Sequence, residues 1–248
     1  MKFKIMDGVL TRVVEKNIVI PEGVTAIGKD TFTDLDIESV HFPSTLKKIE
    51  ERAFCGCKQL RKLIFPEGLE VIEDDAFARC TGIEEIVFPP NGPKEIGQGV
   101  FNSCTKLKSI VLPNSLQTIS VGVFFNCIAL EKVILPSGIK AIESMAFEGC
   151  KNLTDIALPN GLEIIQERAF YRCEHLTELS FPSSLTHIAR NAFENCPTSS
   201  GMKIPDRFDK NGFHIQNNVL IKYFGYGRKV VVPNGIKKLV IWLFATVK

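Results

Sequence analysis

The segment LRKLIFPEGLEVIEDDAFARC, residues 60–80, contains one complete unit of a pattern that fills most of the chain. Its first part alternates with period two, so that Leu63 and Phe65 point to one side and Lys62 and Ile64 to the other. This alternation predicts a short strand with an apolar inner side. Pro66 ends the strand because proline has no N–H group to donate to a sheet.

The second part of the unit predicts a turn on the opposite side of the strand. Leu69 and Ile72 point inward again, and Ile72, Ala76 and Cys80 are spaced as residues i, i+4 and i+8, as on one face of a helix. We therefore expect a short helical or 3₁₀ turn here. One such unit cannot bury its apolar side alone, so the units are expected to stack.

The unit recurs along the chain with a period of 22 to 24 residues. A phenylalanine follows the same period, and from Phe54 onward a cysteine stands three residues after each one. The single 24-residue step comes from one extra residue in the segment PPNGP, residues 89–93. The repeating prolines are Pro21, Pro43, Pro66, Pro89, Pro113, Pro136, Pro159, Pro182 and Pro205.

This unit resembles the BspA-type, or treponemal-type, leucine-rich repeat, whose consensus is close to L-x-x-I-x-L-P-x-x-L-x-x-I-x-x-x-A-F-x-x-C. The resemblance covers roughly residues 18 to 205. It implies the α/β class: a right-handed leucine-rich-repeat solenoid, or horseshoe, with short parallel strands on its concave side and short helical or 3₁₀ turns opposite. It also implies a surface-exposed or secreted protein that binds other proteins.

Two modules are expected. Residues 1–205 form an N-terminal hairpin cap, with Asp7-Gly8 at its turn, followed by the repeats. Residues 206–248 form a second hairpin around Asn217-Asn218 and the first rung of another array, which restarts at Pro233. Because that array stops at Lys248, we expect the chain to be a fragment of a longer protein.

Composition and motifs narrow the function. The 248 residues carry 30 Lys and Arg against 28 Asp and Glu, a net charge of +2, so a nucleic-acid partner is not expected. No stretch approaches a transmembrane helix, and the N-terminus has no apolar signal-peptide core. Neither a G-x-x-x-x-G-K-[ST] nor a G-x-G-x-x-G loop occurs, and we expect no cofactor.

The cysteines and histidines indicate structural roles. Seven of the eight cysteines share one repeat position, which predicts a buried ladder of free thiols; their side chains point the same way, which disfavours disulfides. Cys55 lies off this ladder and is the better candidate for a reactive thiol. The four histidines form no pair suited to a metal or a catalytic triad, and solvent-facing roles are expected.

The outward strand positions form two columns that are candidates for partner binding on the concave sheet face. One column has successive apolar residues from Ile64 to Ala157, which predicts an apolar stripe about 20 Å long. The alternative explanation is that β-branched residues simply favour strands. The candidate binding residues of both columns are His41, Lys62, Ile64, Glu85, Val87, Ser109, Val111, Lys132, Ile134, Asp155, Ala157 and Glu178.

Three functions are compatible with this pattern. The first is a non-catalytic protein-binding module of a surface or secreted bacterial-type protein, with a role in adhesion or host interaction. The second is an intracellular, cytoplasmic interaction scaffold, for which seven unpaired thiols are suited. The third is a β-helix-like polysaccharide-active enzyme in which Asp155 and Glu178 share a proton, against which stands simple pairing of Lys132 with Asp155.

Overall fold

The computed structural model describes residues 4–6, 9–12, 16–189, 191–197, 213–216, 219–223 and 238–239, and all side-chain contacts given below lie within residues 16–189 and 191–197. The chain forms a right-handed solenoid of parallel strands. Each rung except the last contains two short strands, which we number along the whole chain, and a turn segment that leads into the next rung.

The first strand of each rung is two or three residues long and follows a short exposed turn. In the three-residue strands the middle residue is buried and the outer residues face solvent, and in the two-residue strand the second residue is buried, as the alternation in the sequence predicts. These strands are β3 Asn17–Val19, β5 Ser39–His41, β7 Lys62–Ile64, β9 Glu85–Val87, β11 Ser109–Val111, β13 Lys132–Ile134 and β15 Asp155–Ile156.

The second strand of each rung is a feature that the sequence analysis did not predict. It has two residues and follows the proline-containing turn, and its second residue is buried in every rung. The strands are β4 Ala26–Ile27, β6 Lys48–Ile49, β8 Val71–Ile72, β10 Glu95–Ile96, β12 Thr118–Ile119, β14 Ala141–Ile142, β16 Ile164–Ile165 and β17 His187–Ile188.

Rungs are numbered 1 to 8 by these second strands, so that rung 1 contains β3 and β4 and rung 8 contains β17. All strand pairs within the repeat array are parallel and in register, as in the pairing of Lys62 with Glu85 and of Ile64 with Val87. Pairing of the first strands is interrupted between rungs 2 and 3 and between rungs 4 and 5.

The extra residue of the 24-residue step lies at the second interruption. The amide N–H of Gly92 donates to the carbonyl of Pro89 over 3.0 Å, which closes a turn between β9 and β10 within rung 4. The hydroxyl of Ser115 then donates to the carbonyl oxygens of Gly92 and Pro93, at 2.9 and 2.8 Å. Strand pairing does not continue past this turn, and β10 and β12 belong to different sheets.

The turn segments contain no helix among the described residues, so the predicted helical turns are not confirmed and the described fold is all β. Amides of alternate residues donate within the rung, as Ala78 does to Asp75 over 2.9 Å. The amides between them donate to the next rung, as Phe77 does to Val100 over 3.0 Å. Because half of these amides bond to the neighbouring rung, the i to i−4 bonds of a helix do not form.

Two left-handed residues in each of the first seven turn segments, and one in the last described segment, redirect the chain. They lie two residues before and two residues after the repeating phenylalanine and have φ between 54° and 76°. The first column is Asp30, Arg52, Asp75, Gly99, Gly122, Met145 and Arg168; the second is Asp34, Gly56, Arg79, Ser103, Asn126, Gly149, Arg172 and Asn195.

The spacing between rungs on the two sides of the stack determines how strongly a solenoid curves into a horseshoe. Leucine-rich-repeat solenoids bend when one side of the rung is wider than its strands. Here the turn segments also bond directly from rung to rung, with donor–acceptor distances of 2.8 Å for Asp75 to Gln98 and 2.7 Å for Arg79 to Asn102. The turn side of the stack therefore keeps nearly strand spacing from rung to rung, without the helices that would widen it.

The repeating phenylalanines form a continuous stack through the core. Neighbouring ring centroids are 4.6 to 6.0 Å apart and the ring planes differ by 5° to 17°. Seven of these rings are fully buried. Their aligned contacts add packing energy that a single rung could not provide.

The predicted thiol ladder is present, and all eight cysteines are free and buried. Each ladder thiol donates its S–H to the carbonyl of the phenylalanine in the preceding rung, as Cys127 does to Phe101 over 3.1 Å. The same carbonyl already accepts the amide N–H of Cys104, at 3.2 Å, so the thiol occupies its second lone pair. Burial raises the pKa of the Cys127 thiol to about 12.

The backbone of both predicted hairpins is described, while their turn residues lie outside the described part of the chain. Strand β1, Lys4–Met6, pairs antiparallel with β2, Val9–Arg12, and β2 continues the sheet of β4. Strand β18, Phe213–Gln216, pairs antiparallel with β19, Val219–Tyr223, which pairs parallel with β20, Lys238–Leu239. The module boundary near residue 205 and the restart at Pro233 also lie outside the described residues and stay predictions.

We predict that Met145→Gly is more stable to urea unfolding than Met145→Ala by about 1 kcal/mol, because alanine at φ 59° is strained and glycine is not. The two variants remove the same side-chain contacts beyond Cβ, so their difference isolates the backbone conformation. Equal midpoints for the two variants would contradict the left-handed assignment.

The Cys127 thiol predicts a loss of stability at alkaline pH. Burial raises its pKa from the ordinary thiol value of 9.0 to about 12 in the folded chain. Above pH 9 the unfolded state therefore binds fewer protons than the native state, and the free energy of unfolding falls as the pH rises toward 12. Cys127→Ser keeps a hydrogen-bond donor that does not titrate in this range, so the wild type should lose more stability than this variant. Parallel pH profiles would show that the thiol is not buried as described.

Candidate functional site

The candidate site is the solvent-facing side of the first strands, which we call the sheet face. Its apolar column contains Val19, Ile64, Val87, Val111 and Ile134, each with 39% to 58% of its surface exposed. Among the described side chains these are five of the seven exposed large hydrophobic residues, and the other two are Leu35 and Ile128. Exposed apolar surface is therefore concentrated on one face of the solenoid.

Eleven of the twelve predicted binding residues lie in or directly after the first strands, and all twelve are exposed. His41 interrupts the apolar column between Val19 and Ile64, and the column ends beyond Ile134 at the small side chain of Ala157 in rung 7. Glu178 lies in rung 8, beyond the last first strand. Their role in binding stays a prediction.

Ion pairs between successive rungs neutralise the charge beside the apolar column. The ammonium of Lys62 lies 2.8 Å from the carboxylate of Glu85, and that of Lys132 lies 2.6 Å from Asp155. A third column, directly before these residues in sequence, contains the pairs Lys16–Glu38 at 3.0 Å and Arg61–Glu84 at 3.1 Å. The face therefore has little net field to attract a charged polymer.

These ion pairs coincide with the strand pairing. Each one joins two rungs whose first strands are hydrogen-bonded to each other, because in-register parallel strands place equivalent side chains about 4.8 Å apart. Their side chains are 49% to 67% exposed, so each pair contributes at most about 1 kcal/mol to stability. Their main effect is on the charge pattern that the face presents.

Lys132 pairs with Asp155, and this pairing is the alternative to the catalytic hypothesis in which Asp155 and Glu178 share a proton. Asp155 has a lysine ammonium at 2.6 Å, and both Asp155 and Glu178 are open to solvent. A shared proton needs two carboxylates held together away from water, and no described side chain covers either group. The geometry therefore favours a solvated ion pair over a catalytic carboxylate pair.

A small void lies in the core and not on the sheet face. It measures about 10 Å³ and is lined by rungs 4 and 5, including Ile96, Leu116, Val123 and Phe124. This volume is close to that of one water molecule and is too small for a ligand. The described residues also contain no group of three or more His, Cys, Asp or Glu side chains placed to hold a metal ion.

The histidines and the off-ladder cysteine differ in part from expectation. His41 and His175 are exposed, but His187 is 7% exposed in β17, so a solvent-facing role for it is wrong. Cys55 is 4% exposed and lies 3.5 Å from the guanidinium of Arg79. Its reactivity stays a prediction. The side chain of His214 is not among those described.

The repeat array matches a known family model. Six copies of the BspA type leucine rich repeat region cover residues 11–93 and 94–220. The chain belongs to this family. The resemblance of the sequence repeat is thereby confirmed, and the second matched range extends past residue 205 into the C-terminal hairpin.

Solved structures show the same fold. The BspA-type chain is 33% identical to the leucine-rich repeat protein TpLRR of T. pallidum, with a TM-score of 0.64, over 71% of this chain and 87% of that one. A leucine-rich repeat protein of Bacteroides ovatus is 25% identical with a TM-score of 0.76, over 96% and 65% of the two chains.

A leucine-rich repeat protein from Eubacterium ventriosum is 27% identical with a TM-score of 0.65, over 78% of this chain and 61% of that one. The chain thus spans less than two thirds of the Bacteroides and Eubacterium structures. No curated protein sequence shows significant similarity to it. Within the described residues no helix has the length and hydrophobicity needed to cross a bilayer.

Proposed function

We propose that this BspA-type chain is a non-catalytic protein-binding module that uses the sheet face. The observation that supports this is the concentration of exposed apolar surface in one column, where Ile64, Val111 and Ile134 are 47% to 58% exposed. Strand propensity alone explains branched residues there, but it does not explain why large exposed hydrophobic residues are absent from the second strands.

The neighbouring charges support a protein partner over a polyanion. Contiguous apolar surface rimmed by polar groups is typical of protein-binding sites. Lysines that are already paired with carboxylates, such as Lys62 and Lys132, have less capacity to neutralise phosphates. A partner with an apolar ridge would therefore gain more from this face than a nucleic acid or an anionic polysaccharide.

The place of action that we propose is the surface of a bacterial-type cell or the medium around it, with a role in adhesion or host interaction. This rests on the resemblance to BspA-type proteins. An intracellular scaffold is the second candidate, and the eight free cysteines favour it, because reducing compartments preserve thiols. Both candidates use the same face, and locating the native protein in its cell separates them.

A triple variant tests the role of the sheet face. Ile64→Thr, Val111→Thr and Ile134→Thr together keep the branched shape that strands favour while removing the apolar contacts. Proteins captured from bacterial and host lysates are identified, purified and titrated against each chain by calorimetry. We expect the triple variant to bind at least about 10-fold more weakly, the size of a modest loss of apolar contact.

The matched control is Lys94→Ser with Gln117→Ser, which changes two exposed residues next to the second strands β10 and β12. This control should bind like the wild type. Circular dichroism melting of all three chains establishes that each remains folded. A partner that binds the triple variant as tightly as the wild type would remove the sheet face from the proposed function.

A further inference from the structure

Charges alternate in sign along six successive rungs at the edge of the sheet face, where the chain enters the first strands. They form the third column described above, which we now call the alternating column and which lies directly before the first strands. Its members have charges +, −, +, −, + and − from rung 1 to rung 6. All six are exposed. They are Lys16, Glu38, Arg61, Glu84, Lys108 and Glu131.

An alternating column with an even number of members is complementary to itself when it is reversed. Consider a second copy turned over about a two-fold axis that runs parallel to the strands, between rungs 3 and 4. Rung 3 then faces rung 4 of the other copy, rung 2 faces rung 5, and rung 1 faces rung 6. Every residue of the alternating column meets a residue of opposite sign, as Arg61 does with Glu84.

The column formed by the first residues of the first strands, which contains Lys62 and Glu85, also has complementary charges in this arrangement. The same operation places Lys62 opposite Glu85 of the second copy, and the remaining residues of this column in rungs 1 to 6 introduce no pair of like charges. Moving the axis by one rung toward the C-terminus would place Lys62 opposite Lys132. An axis that passes through a rung would place each charge of that rung opposite itself. The axis between rungs 3 and 4 is therefore the most favourable one for charge.

The apolar column occupies the same six rungs. In this arrangement Ile64 faces Val87 of the second copy, and Val19 faces Ile134. The exposed large hydrophobic residues of the sheet face therefore all lie inside the overlap. The C-terminal end of the column, which contains the small Ala157 and the polar Ser180, lies outside it.

Close rung spacing on the turn side limits the curvature of the sheet face and allows two such faces to meet. Two strongly concave faces would touch only at their ends, but the turn segments here bond from rung to rung at 2.7 to 3.0 Å, as from Phe77 to Val100 and from Arg79 to Asn102. Flat sheets pack face to face about 10 Å apart with side chains interdigitated.

We propose that the sheet face binds a second copy of this chain, with the two solenoid axes antiparallel and rungs 3 and 4 at the centre. This rests on the proposed function, since it names the partner of the same face. Six rungs at about 4.8 Å spacing give a contact roughly 24 Å long and one strand wide, less than the area of a stable dimer, so the association is weak. It becomes effective where many copies are held on one surface.

Charge-reversal variants test this pairing. Lys62→Glu places a carboxylate opposite Glu85 at two positions of the dimer, and Glu85→Lys places two ammonium groups opposite Lys62. Each variant alone should self-associate at least about 10-fold more weakly than the wild type in sedimentation equilibrium at low salt. An equimolar mixture of the two restores both opposite-charge contacts and should associate within about threefold of the wild type.

The mixture separates a contact between copies from an effect on the fold. Both variants lose the internal Lys62–Glu85 pair, and mixing cannot repair it within either chain. The double variant Lys62→Glu with Glu85→Lys restores the internal pair and both contacts between copies, and should self-associate like the wild type. Circular dichroism confirms that each chain is folded.

Two results would overturn the self-association. One is a wild type that stays monomeric at about 1 mM, above the range expected for weak contacts. The other is a mixture that associates no better than the separate variants. If either occurs while the Ile64, Val111 and Ile134 triple variant still loses a different protein partner, the proposed function stands and only the second copy is excluded as its partner. Self-association that survives the triple variant would also place the contact elsewhere.

Discussion

Every rung of this solenoid is bonded through its backbone to the rungs beside it, and the rest of the structure depends on that constraint. A rung of about 23 residues contains only two short strands and a turn segment, and none of these could bury its apolar side alone. Direct bonding on the strand side and on the turn side stacks the rungs closely enough to share one core. It also removes the helices that would widen one side.

Close stacking makes every repeated residue a column, and each column has its own chemistry. The phenylalanines pack ring on ring at 4.6 to 6.0 Å. The cysteine three residues later donates to the carbonyl of the phenylalanine in the preceding rung, as Cys80 does to Phe54 over 3.0 Å. A buried carbonyl with one partner retains acceptor capacity, and the thiol uses it without adding volume beyond that of a small hydrophobic residue. The ladder is therefore a packing and hydrogen-bonding feature and not a redox site.

The same columns on the outside determine what the solenoid can offer a partner. Adjacent charges of opposite sign neutralise each other across rungs, as Arg61 and Glu84 do at 3.1 Å, so the sheet face has a patterned charge but little net charge. Beside them, the apolar column stays exposed because its side chains point away from the core on every strand. A surface of this kind discriminates by matching a pattern of signs and an apolar ridge, and it needs no pocket.

The amino-acid sequence by itself determined the repeat, the inward and outward residues of the first strands, the buried thiols and the columns of the candidate site. These follow from period-two alternation and from strict spacing, which are properties of the chain alone. Only the tertiary structure decided the two-residue second strands, since Val71–Ile72 is too short to alternate and becomes a strand only when neighbouring rungs accept and donate its hydrogen bonds. It also decided the turn segments, where the spacing of Ile72, Ala76 and Cys80 indicated a helix. Their amides bond to the next rung instead, and left-handed residues such as Arg79 redirect the chain, which no local pattern in the sequence could reveal.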